Sequence, residues 1–285
     1  MDGDVAQGGA ADSASPEPPV RPCEVVLHLH EGGDVAPLLG QCFRPVDPGA
    51  DDGDGQRLWR WWQSADVDWV AAAGDLLCHP GDRVAWARLN DALDRLARRR
   101  PGRPVTGLVL SVEPGKVRAD TATARIALRA RSVLDAIAQQ TGWRIPLFLV
   151  VVLGPADGEA AALFRHVPEE TRGLPIGHRT DPDRPSKAAF EALSTALADV
   201  AQGVAHLAAL APRDRAEQAW RGIPAGRTAL DVATSLARNL LAPAEGSPPA
   251  RLAGVYVVPG GPPDAFGLDA LGRTIPADLA HAVRE

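Results

Sequence analysis

A short run of histidine and acidic side chains near the amino-terminal end is the part of the sequence best suited to metal chemistry. His28, His30 and Glu31 form an HxHE run, and Asp34 follows in the next turn. Alternate residues of a strand lie on one face, so the two imidazoles would point to the same side. Imidazole and carboxylate groups suit zinc or manganese, and a metal-dependent enzyme using His28 and His30 is therefore one hypothesis. The alternative interpretation is a strand that ends in a polar turn, because no second ligand pair follows at a known spacing.

Other reactive side chains give weaker patterns. Cys78 and His79 are neighbours, but a nucleophile and its base must meet in space, and adjacent side chains usually point apart. Four tryptophans between residues 59 and 69 could stack on bases, although such residues more often anchor a core or a sheet edge. The net charge of -6 argues against a nucleic-acid partner, which usually requires a basic surface.

Length and composition limit the class of protein. The chain has 285 residues, of which 45% are hydrophobic and 23% charged, so it can form one large domain or two small ones. Its three cysteines show no CxxC spacing, which fits a reducing compartment. No secretory signal is visible, and the longest apolar run, 147–153, is far below the roughly 20 residues of a membrane helix. We therefore expect a cytoplasmic protein without direct membrane insertion.

Apolar patterns predict the elements that would position these side chains. Residues 1–22 contain almost no residues that could be buried and are predicted to be a disordered tail. Residues 44–56, rich in Pro, Gly and Asp, are predicted to be a loop. The predicted strands are 23–30, 58–63, 67–71, 106–112, 146–153 and 252–258. The predicted helices contain the apolar repeats 86–96, 126–137 and 190–207, with a short helix near 213–221 and another near 227–241.

The order of these elements predicts an α/β fold. Strands that alternate with helices indicate a mostly parallel sheet with crossover helices. The run 146–153 has no polar alternation, which is typical of a central strand covered on both faces. We expect an α/β domain over 23–180 and a helical subdomain over 181–285 that returns one strand to the sheet.

Four segments carry a resemblance to a known family. They are the pair Trp61-Trp62, the entry RPGRPVTGL at 100–108, the turn GWRIP at 142–146, and LAGVY at 252–256. Their order and spacing resemble the cytosolic, GTPase-like domain of the IcmF (TssM) family of type VI secretion. The resemblance covers roughly 23–275 and implies a P-loop-GTPase-like sheet. No segment of the sequence resembles that family's membrane segments, so we expect the chain to lack them.

The resemblance also shows where the GTPase motifs are degenerate. A phosphate loop needs glycines, a lysine for the β- and γ-phosphates and a hydroxyl for Mg²⁺. The lysine position holds Val35, and the hydroxyl position holds Ala36. Glu31 and Asp34 add negative charge where phosphate would lie. The full degenerate phosphate-loop region is Glu31, Gly32, Gly33, Asp34, Val35 and Ala36.

The two remaining motifs depart from the family pattern as well. The family's Asp-Thr-Ala-Gly corresponds here to Ala71-Ala72-Ala73-Gly74, so the Mg²⁺-linked aspartate is missing. The guanine motif falls at Gly154 to Asp157, where the lysine is absent and Asp157 is displaced. Three lost motifs imply that nucleotide hydrolysis is no longer required.

The sequence therefore predicts a non-catalytic pseudo-GTPase scaffold or adaptor without a cofactor. By resemblance, its partners would be type VI secretion membrane-complex or baseplate proteins, and a partner could recruit it to the inner membrane. The alternative is a switch that binds a nucleotide or another small ligand through the backbone of Gly32 and Gly33 without hydrolysis. The metal-dependent enzyme at His28 and His30 is the third hypothesis.

Overall fold

The computed structural model describes about two thirds of the chain. The described residues are 24–31, 39–40, 43–46, 59–63, 67–72, 83–117, 120–153, 176–209, 213, 216–243, 248–259, 271, 274–277, 279 and 283–284. The predicted tail 1–22 lies outside them, as do Cys78 and His79.

An eight-stranded sheet forms the centre of the structure, and its strands alternate along the chain with helices. The strands are β1 (Glu24–Glu31), β2 (Arg44–Val46), β3 (Trp59–Gln63), β4 (Val67–Ala72), β5 (Gly107–Val112), β7 (Leu147–Leu153), β8 (Ile176–Arg179) and β9 (Leu252–Pro259). A separate pair joins β6 (Trp143–Arg144) to β10 (Val283–Arg284). The strand order in the large sheet is β2-β3-β4-β1-β5-β7-β9-β8.

The middle of this sheet is parallel and its edges are antiparallel. Strands β4, β1, β5, β7 and β9 pair in parallel with their neighbours. Strand β3 pairs antiparallel with β4, β2 antiparallel with β3, and β8 antiparallel with β9. The prediction of an α/β fold with a mostly parallel sheet is therefore confirmed.

Both faces of the central strands are buried, because successive residues of a strand point to opposite sides. Every residue of β5 and β7 is buried. One face, which includes Leu29 and Leu149, packs against the long helices. The other face, which includes Val150, is covered in part by Leu271 and Ile275 from the carboxyl-terminal segment. Continuous apolar sequence in β7 follows from this double coverage.

In the part of the chain that the structure describes, four long helices accompany the sheet. They are α1 (Arg83–Arg99), α2 (Asp120–Thr141), α3 (Ser186–Ala209) and α4 (Ala216–Leu241), and a single turn, α5, covers Ile275–Ala277. Helix α4 contacts β7, β9, α2 and α3, and α3 in turn contacts the edge strand β8. Gly142, which ends α2, has a φ of 70°, a conformation that glycine adopts without steric cost.

The prediction of two helices over 213–241 is wrong, since one continuous helix spans Ala216–Leu241. Pro224 lies inside this helix. A proline in a helix interior removes one backbone hydrogen bond and costs about 3 kcal/mol or more. Burial of the apolar residues on both sides of it, such as Ile223 and Leu230, outweighs that local cost.

The predicted loop over 44–56 is also partly wrong. Arg44–Val46 forms β2 and pairs with Trp61–Gln63 of β3. Three residues that include a proline give too little pattern for recognition from sequence, and proline is tolerated on an edge strand. Strands β6, β8 and β10 were not predicted for the same reason, since each has four residues or fewer.

No helix in the described part of the chain is both long enough and apolar enough to cross a membrane. The long helices α2, α3 and α4 instead carry charged residues along their exposed faces. Asp199 on α3 and Asp231 on α4 are two of these.

Candidate functional site

The strand order changes direction at β1. From β1 the chain leads to β4 on one side, and from β4 it crosses to β5 on the other side of β1. In open α/β sheets, ligands bind outside the carboxyl ends of the strands at such a switch point. The carboxyl ends of β1 and β5 are therefore the place where a functional site is expected.

Three polar side chains converge at this point of the sheet. The Oγ atom of Ser111 on β5 lies 2.6 Å from Nε2 of His28 and 2.7 Å from Nδ1 of His30. The parallel register pairs His30 with Ser111, and His28 lies two residues earlier on the same face of β1. The structure thus brings together the two histidines that the sequence singled out, through a serine that it did not.

A fourth polar group extends this network. Glu113 follows the last residue of β5, and its Oε1 atom lies 3.5 Å from Nε2 of His30. We call His28, Ser111, His30 and Glu113 the β1–β5 polar network. It joins two strands whose polar residues are more than 80 positions apart in the chain.

Hydrogen-bond counting assigns the protons in the β1–β5 polar network. Ser111 has one hydroxyl proton, so it can donate to only one of the two rings. If it donates to Nδ1 of His30, then Nε2–H of His30 points to the Glu113 carboxylate, and His28 donates its own Nε2–H to Ser111. Every contact then pairs a donor with an acceptor. The reverse order would place an unprotonated His30 Nε2 against a carboxylate. The Ser111 hydroxyl also lies 3.5 Å from the carbonyl oxygen of Leu29, a longer contact than those to the two rings. With the hydroxyl proton on the shorter contact to a neutral His30 ring, both histidines are the Nε2–H tautomer.

Burial distinguishes the two ends of the network. Ser111 and His28 are each 0% exposed and His30 is 3% exposed, whereas the Glu113 side chain is 15% exposed. Burial lowers the pKa of His28 well below its usual value, and the neighbouring His30 lowers it further. The His28 ring is consequently neutral at pH 7, which agrees with the assigned tautomer.

Aromatic side chains pack against the network at His28, its buried end. The His28 and Trp69 ring centroids lie 5.8 Å apart, and Trp69 in turn contacts Phe43 at 5.0 Å. The Nδ1 atom of His28 has no hydrogen-bond partner among the described residues. In the assigned tautomer this atom is a lone pair rather than an N–H group.

The combination of serine, imidazole and carboxylate resembles the parts of a nucleophilic triad, but its geometry differs. In a hydrolase the serine must reach a substrate carbonyl while the base takes its proton. Ser111 is fully buried between two rings, with its backbone inside the central sheet. The arrangement is therefore a hydrogen-bonded network of the core, with one edge at Glu113.

The positions of the His28 and His30 rings also determine whether they can share a metal ion. No group of three or more His, Cys, Asp or Glu side chains is arranged to hold a metal ion in the part of the chain that the structure describes. The His28 and His30 nitrogens converge, but they do so on the Ser111 hydroxyl. A zinc ion lies about 2.0–2.1 Å from each imidazole nitrogen, so a shared ion would have to displace that hydroxyl.

The three regions that the sequence analysis interprets as degenerate GTPase motifs begin at the carboxyl ends of parallel strands. Glu31 is the last residue of β1, and Ala71-Ala72 end β4. Ala71 is buried and pairs with His28 in the parallel register. The third region follows Leu153, the last residue of β7. The remaining motif residues lie outside the described part of the chain: Gly32, Gly33, Asp34, Val35, Ala36, Ala73, Gly74, Gly154 and Asp157.

Two of the tryptophans that the sequence analysis considered for base stacking, and two arginines, have structural contacts here. Trp62 and Trp69 are buried in the core, which is the role that tryptophans of this kind more often have. Arg100 forms a 3.2 Å salt bridge with Asp68 of β4. The Arg103 guanidinium lies 5.8 Å from the centre of the Trp143 ring.

Sequence analysis missed Ser111 and Glu113. Ser111 is one polar residue in the apolar strand GLVLSV, and Glu113 directly follows that strand. A polar residue in a strand that is buried on both faces needs a buried partner, and that was the available signal. Naming the partner required the register between β1 and β5, which spacing along the chain does not provide.

Comparison with known proteins identifies one family. Residues 80–280 match the family model described as the IcmF-related N-terminal domain. This range includes β5 with Ser111, all four long helices and β9. No curated protein and no solved structure matches the chain.

Proposed function

The chain belongs to the IcmF-related N-terminal domain family, and from this membership we propose that it is a non-catalytic, GTPase-like scaffold in a type VI secretion apparatus. The family relationship supports the association with type VI secretion. The β1–β5 polar network is the observation that supports the proposal of a non-catalytic role.

The β1–β5 polar network lies at the switch point of the sheet. An open α/β sheet ordinarily offers polar groups to a ligand at this place. Here Ser111, His28 and His30 direct their polar atoms at one another inside the protein. These side chains bond to one another, and only Nδ1 of His28 lacks a partner among the described residues, so the contacts that they make do not require a phosphate.

The residue types in the motif regions support the same proposal. Val35 and Ala36 provide neither the ammonium nor the hydroxyl that phosphates and Mg²⁺ require. Ala71, at the carboxyl end of β4, has no carboxylate for an Mg²⁺-bound water. A GTPase-like frame without these groups is better suited to protein contacts than to hydrolysis.

A calorimetric titration with GTP and with ATP, each with and without Mg²⁺, tests the proposal that the chain does not hydrolyse nucleotides. We expect no binding at millimolar nucleotide. Micromolar, Mg²⁺-dependent binding would contradict the proposal and favour the alternative of a nucleotide-controlled switch. Titration of a small GTPase under the same conditions provides the positive control for the nucleotide and the buffer.

Affinity purification of the tagged chain from its native host tests the scaffold part. We expect type VI membrane-complex or baseplate subunits to be enriched over a tag-only control in quantitative mass spectrometry. We also expect the chain in the cytoplasm, with a fraction at the inner membrane that disappears when the partner is deleted. Recovery of no secretion component would count against the scaffold role even if nucleotide binding is absent.

A further inference from the structure

Helix α4 carries an exposed stripe along one side. The opposite side, which includes Ile223, Leu230 and Ala233, is buried in the core. Exposed residues follow one another at intervals of three or four positions, and they are Glu217, Trp220, Pro224, Arg227 and Asp231. At roughly 100° per residue, these five positions lie within about 80° of the helix circumference. We call them the α4 stripe.

The middle of the α4 stripe is apolar. The Trp220 side chain is 54% exposed, and Pro224, one turn further along the helix, is exposed as well. Proline has no N–H group, so the carbonyl of Trp220 does not receive the usual hydrogen bond from the residue four positions later. The stripe therefore offers an indole ring, a pyrrolidine ring and a backbone acceptor at one place.

Charged residues on the two sides of this apolar pair make the stripe complementary to a copy of itself. Two helices can pack along a seam whose residues are spaced by three and four positions. When the stripe lies antiparallel on a second copy so that Trp220 faces Pro224, Glu217 faces Arg227 of that copy. A two-fold axis relates the copies, so each of these contacts occurs twice.

Other arrangements of the two stripes are less favourable. In the antiparallel arrangement just described, Asp231 comes opposite Arg213, an exposed residue in the turn before α4. If Pro224 lay on the axis instead, Glu217 would face Asp231. In a parallel pair, Glu217 and Arg227 would each face their own copy. Like charges that are brought together at an interface are unfavourable, so the charge pattern selects one direction and one register.

The charged groups of the stripe are available for such contacts. Glu217 forms an ion pair with Arg221 on the same helix, but the two side chains are 81% and 64% exposed. Exposed pairs of this kind contribute little to stability, so Glu217 can exchange Arg221 for Arg227 of a second copy at little cost. For Arg227 and Asp231 the described part of the chain provides no ion pair or side-chain hydrogen bond.

From this pattern we propose that the α4 stripe is the contact surface of a homodimer, in which two copies of the chain pack antiparallel through Trp220 and Pro224. The stripe is about 21 Å long, from residue 217 to residue 231. Small interfaces are typical of weak, transient complexes, so we expect a dissociation constant of tens to hundreds of micromolar. This dimer is independent of nucleotide binding and of any secretion partner.

Sedimentation equilibrium of the full chain, from micromolar to near-millimolar concentration, tests for the dimer. We expect a reversible equilibrium between monomer and dimer in the wild type. Trp220→Ala removes the indole ring from the centre of the contact and should weaken association about tenfold or more. Leu128→Ala is the matched control, because it shortens another exposed apolar side chain, on α2, and should leave association unchanged.

An exchange of charges tests the direction and the register. Glu217→Arg brings two cations together at the contact and Arg227→Glu brings two carboxylates together, so each should weaken association about tenfold or more. The chain that carries both substitutions should associate like the wild type, because opposite charges again face each other. Asp94→Arg, a charge reversal at an exposed position of α1, is the matched control and should have no effect. Far-ultraviolet circular dichroism and melting establish that every variant is folded.

Three results would overturn the proposal. The first is a wild type that stays monomeric at every concentration. The second is a dimer that associates equally well in Trp220→Ala, because it would then use another surface. The third is failure of the doubly substituted chain to regain the association that the single charge reversals lose, because Glu217 and Arg227 would then not face each other. None of these results depends on whether the chain binds GTP or joins a secretion complex.

Discussion

The hydroxyl of Ser111 on β5 lies 2.7 Å from Nδ1 of His30 on β1. The same hydroxyl bonds His28, so Ser111→Ala leaves polar atoms of two buried rings without their partner. A buried polar group without a partner costs about 1–3 kcal/mol. We therefore expect this substitution to lower the free energy of unfolding by about 2 kcal/mol or more, measured by urea denaturation followed by circular dichroism.

Ser132→Ala is the control for that substitution. The Ser132 hydroxyl on α2 donates to the carbonyl of Leu128 at 3.1 Å in an exposed position. Surface substitutions of this kind usually change stability by about 0.5 kcal/mol or less. Equal losses in the two variants would mean that the β1–β5 polar network contributes nothing beyond an ordinary surface hydrogen bond.

Stability should depend on pH through His28. Burial and the neighbouring His30 lower the pKa of His28 below its usual value, so the unfolded chain binds a proton at a pH where the folded chain does not. Stability is therefore complete above the ordinary histidine pKa of about 6.5 and falls as the pH decreases below it. Urea denaturation between pH 8 and pH 5 should show this decrease.

Substitution of His28 separates its contribution to the pH dependence of stability from the contributions of other titratable groups. His28→Asn should reduce the dependence of the free energy of unfolding on pH between pH 6.5 and pH 5. Part of this dependence should remain, because burial also lowers the pKa of His178. His206→Asn on the exposed face of α3 is the matched control, because it replaces a histidine that contacts solvent and not the core. An unchanged slope in His28→Asn would contradict the assignment of a neutral, buried ring.

Metal content is expected to be low. The Ser111 oxygen occupies the space between the two imidazole nitrogens that an ion would need. The purified chain should hold well below one equivalent of zinc or manganese by inductively coupled plasma mass spectrometry, and treatment with EDTA should not change its melting temperature. One equivalent of metal that is lost in both His28→Asn and His30→Asn, but kept in His206→Asn, would favour the metal-enzyme hypothesis.

The parts of the fold that were predictable are those whose pattern is local. Leu147–Leu153 forms β7 because an unbroken apolar run belongs in a doubly covered strand. In α1, Leu89, Leu93 and Leu96 are buried as their helical spacing predicts. Pro224 shows the limit of local rules, because tertiary packing keeps α4 continuous through a residue that breaks isolated helices.

The candidate site was less predictable because its contacts are not local. His28 and His30 attracted notice through their own spacing, but Ser111 lies more than 80 residues further along the chain. Their contact depends on the position of β5 beside β1, since a shift of one residue in the register would turn Ser111 to the opposite face. The residue types therefore indicated His28 and His30, whereas the pairing of β1 with β5 was needed to identify Ser111 and Glu113.

Gly177 on the edge strand β8 tests the antiparallel pairing with β9. It lies opposite Tyr256 with a φ of 155°, a conformation that residues with side chains rarely adopt. An added Cβ atom would lie 2.1 Å from the carbonyl oxygen of Val255 and 2.8 Å from the Cα atom of Tyr256. The backbone conformation alone costs about 1–3 kcal/mol, so Gly177→Ala should lower the free energy of unfolding by at least that amount.

Gly203→Ala should change stability in the opposite direction. Gly203 lies within α3, and an added Cβ atom there would meet nothing within 4 Å. Alanine is favoured over glycine in a helix interior by about 0.5–1 kcal/mol, so this variant should be more stable than the wild type. Urea denaturation of the two variants beside the wild type measures both effects. A loss of stability in Gly203→Ala would contradict the open surroundings of α3 at this position. Wild-type stability in Gly177→Ala would mean that β8 does not pair with β9 in this register.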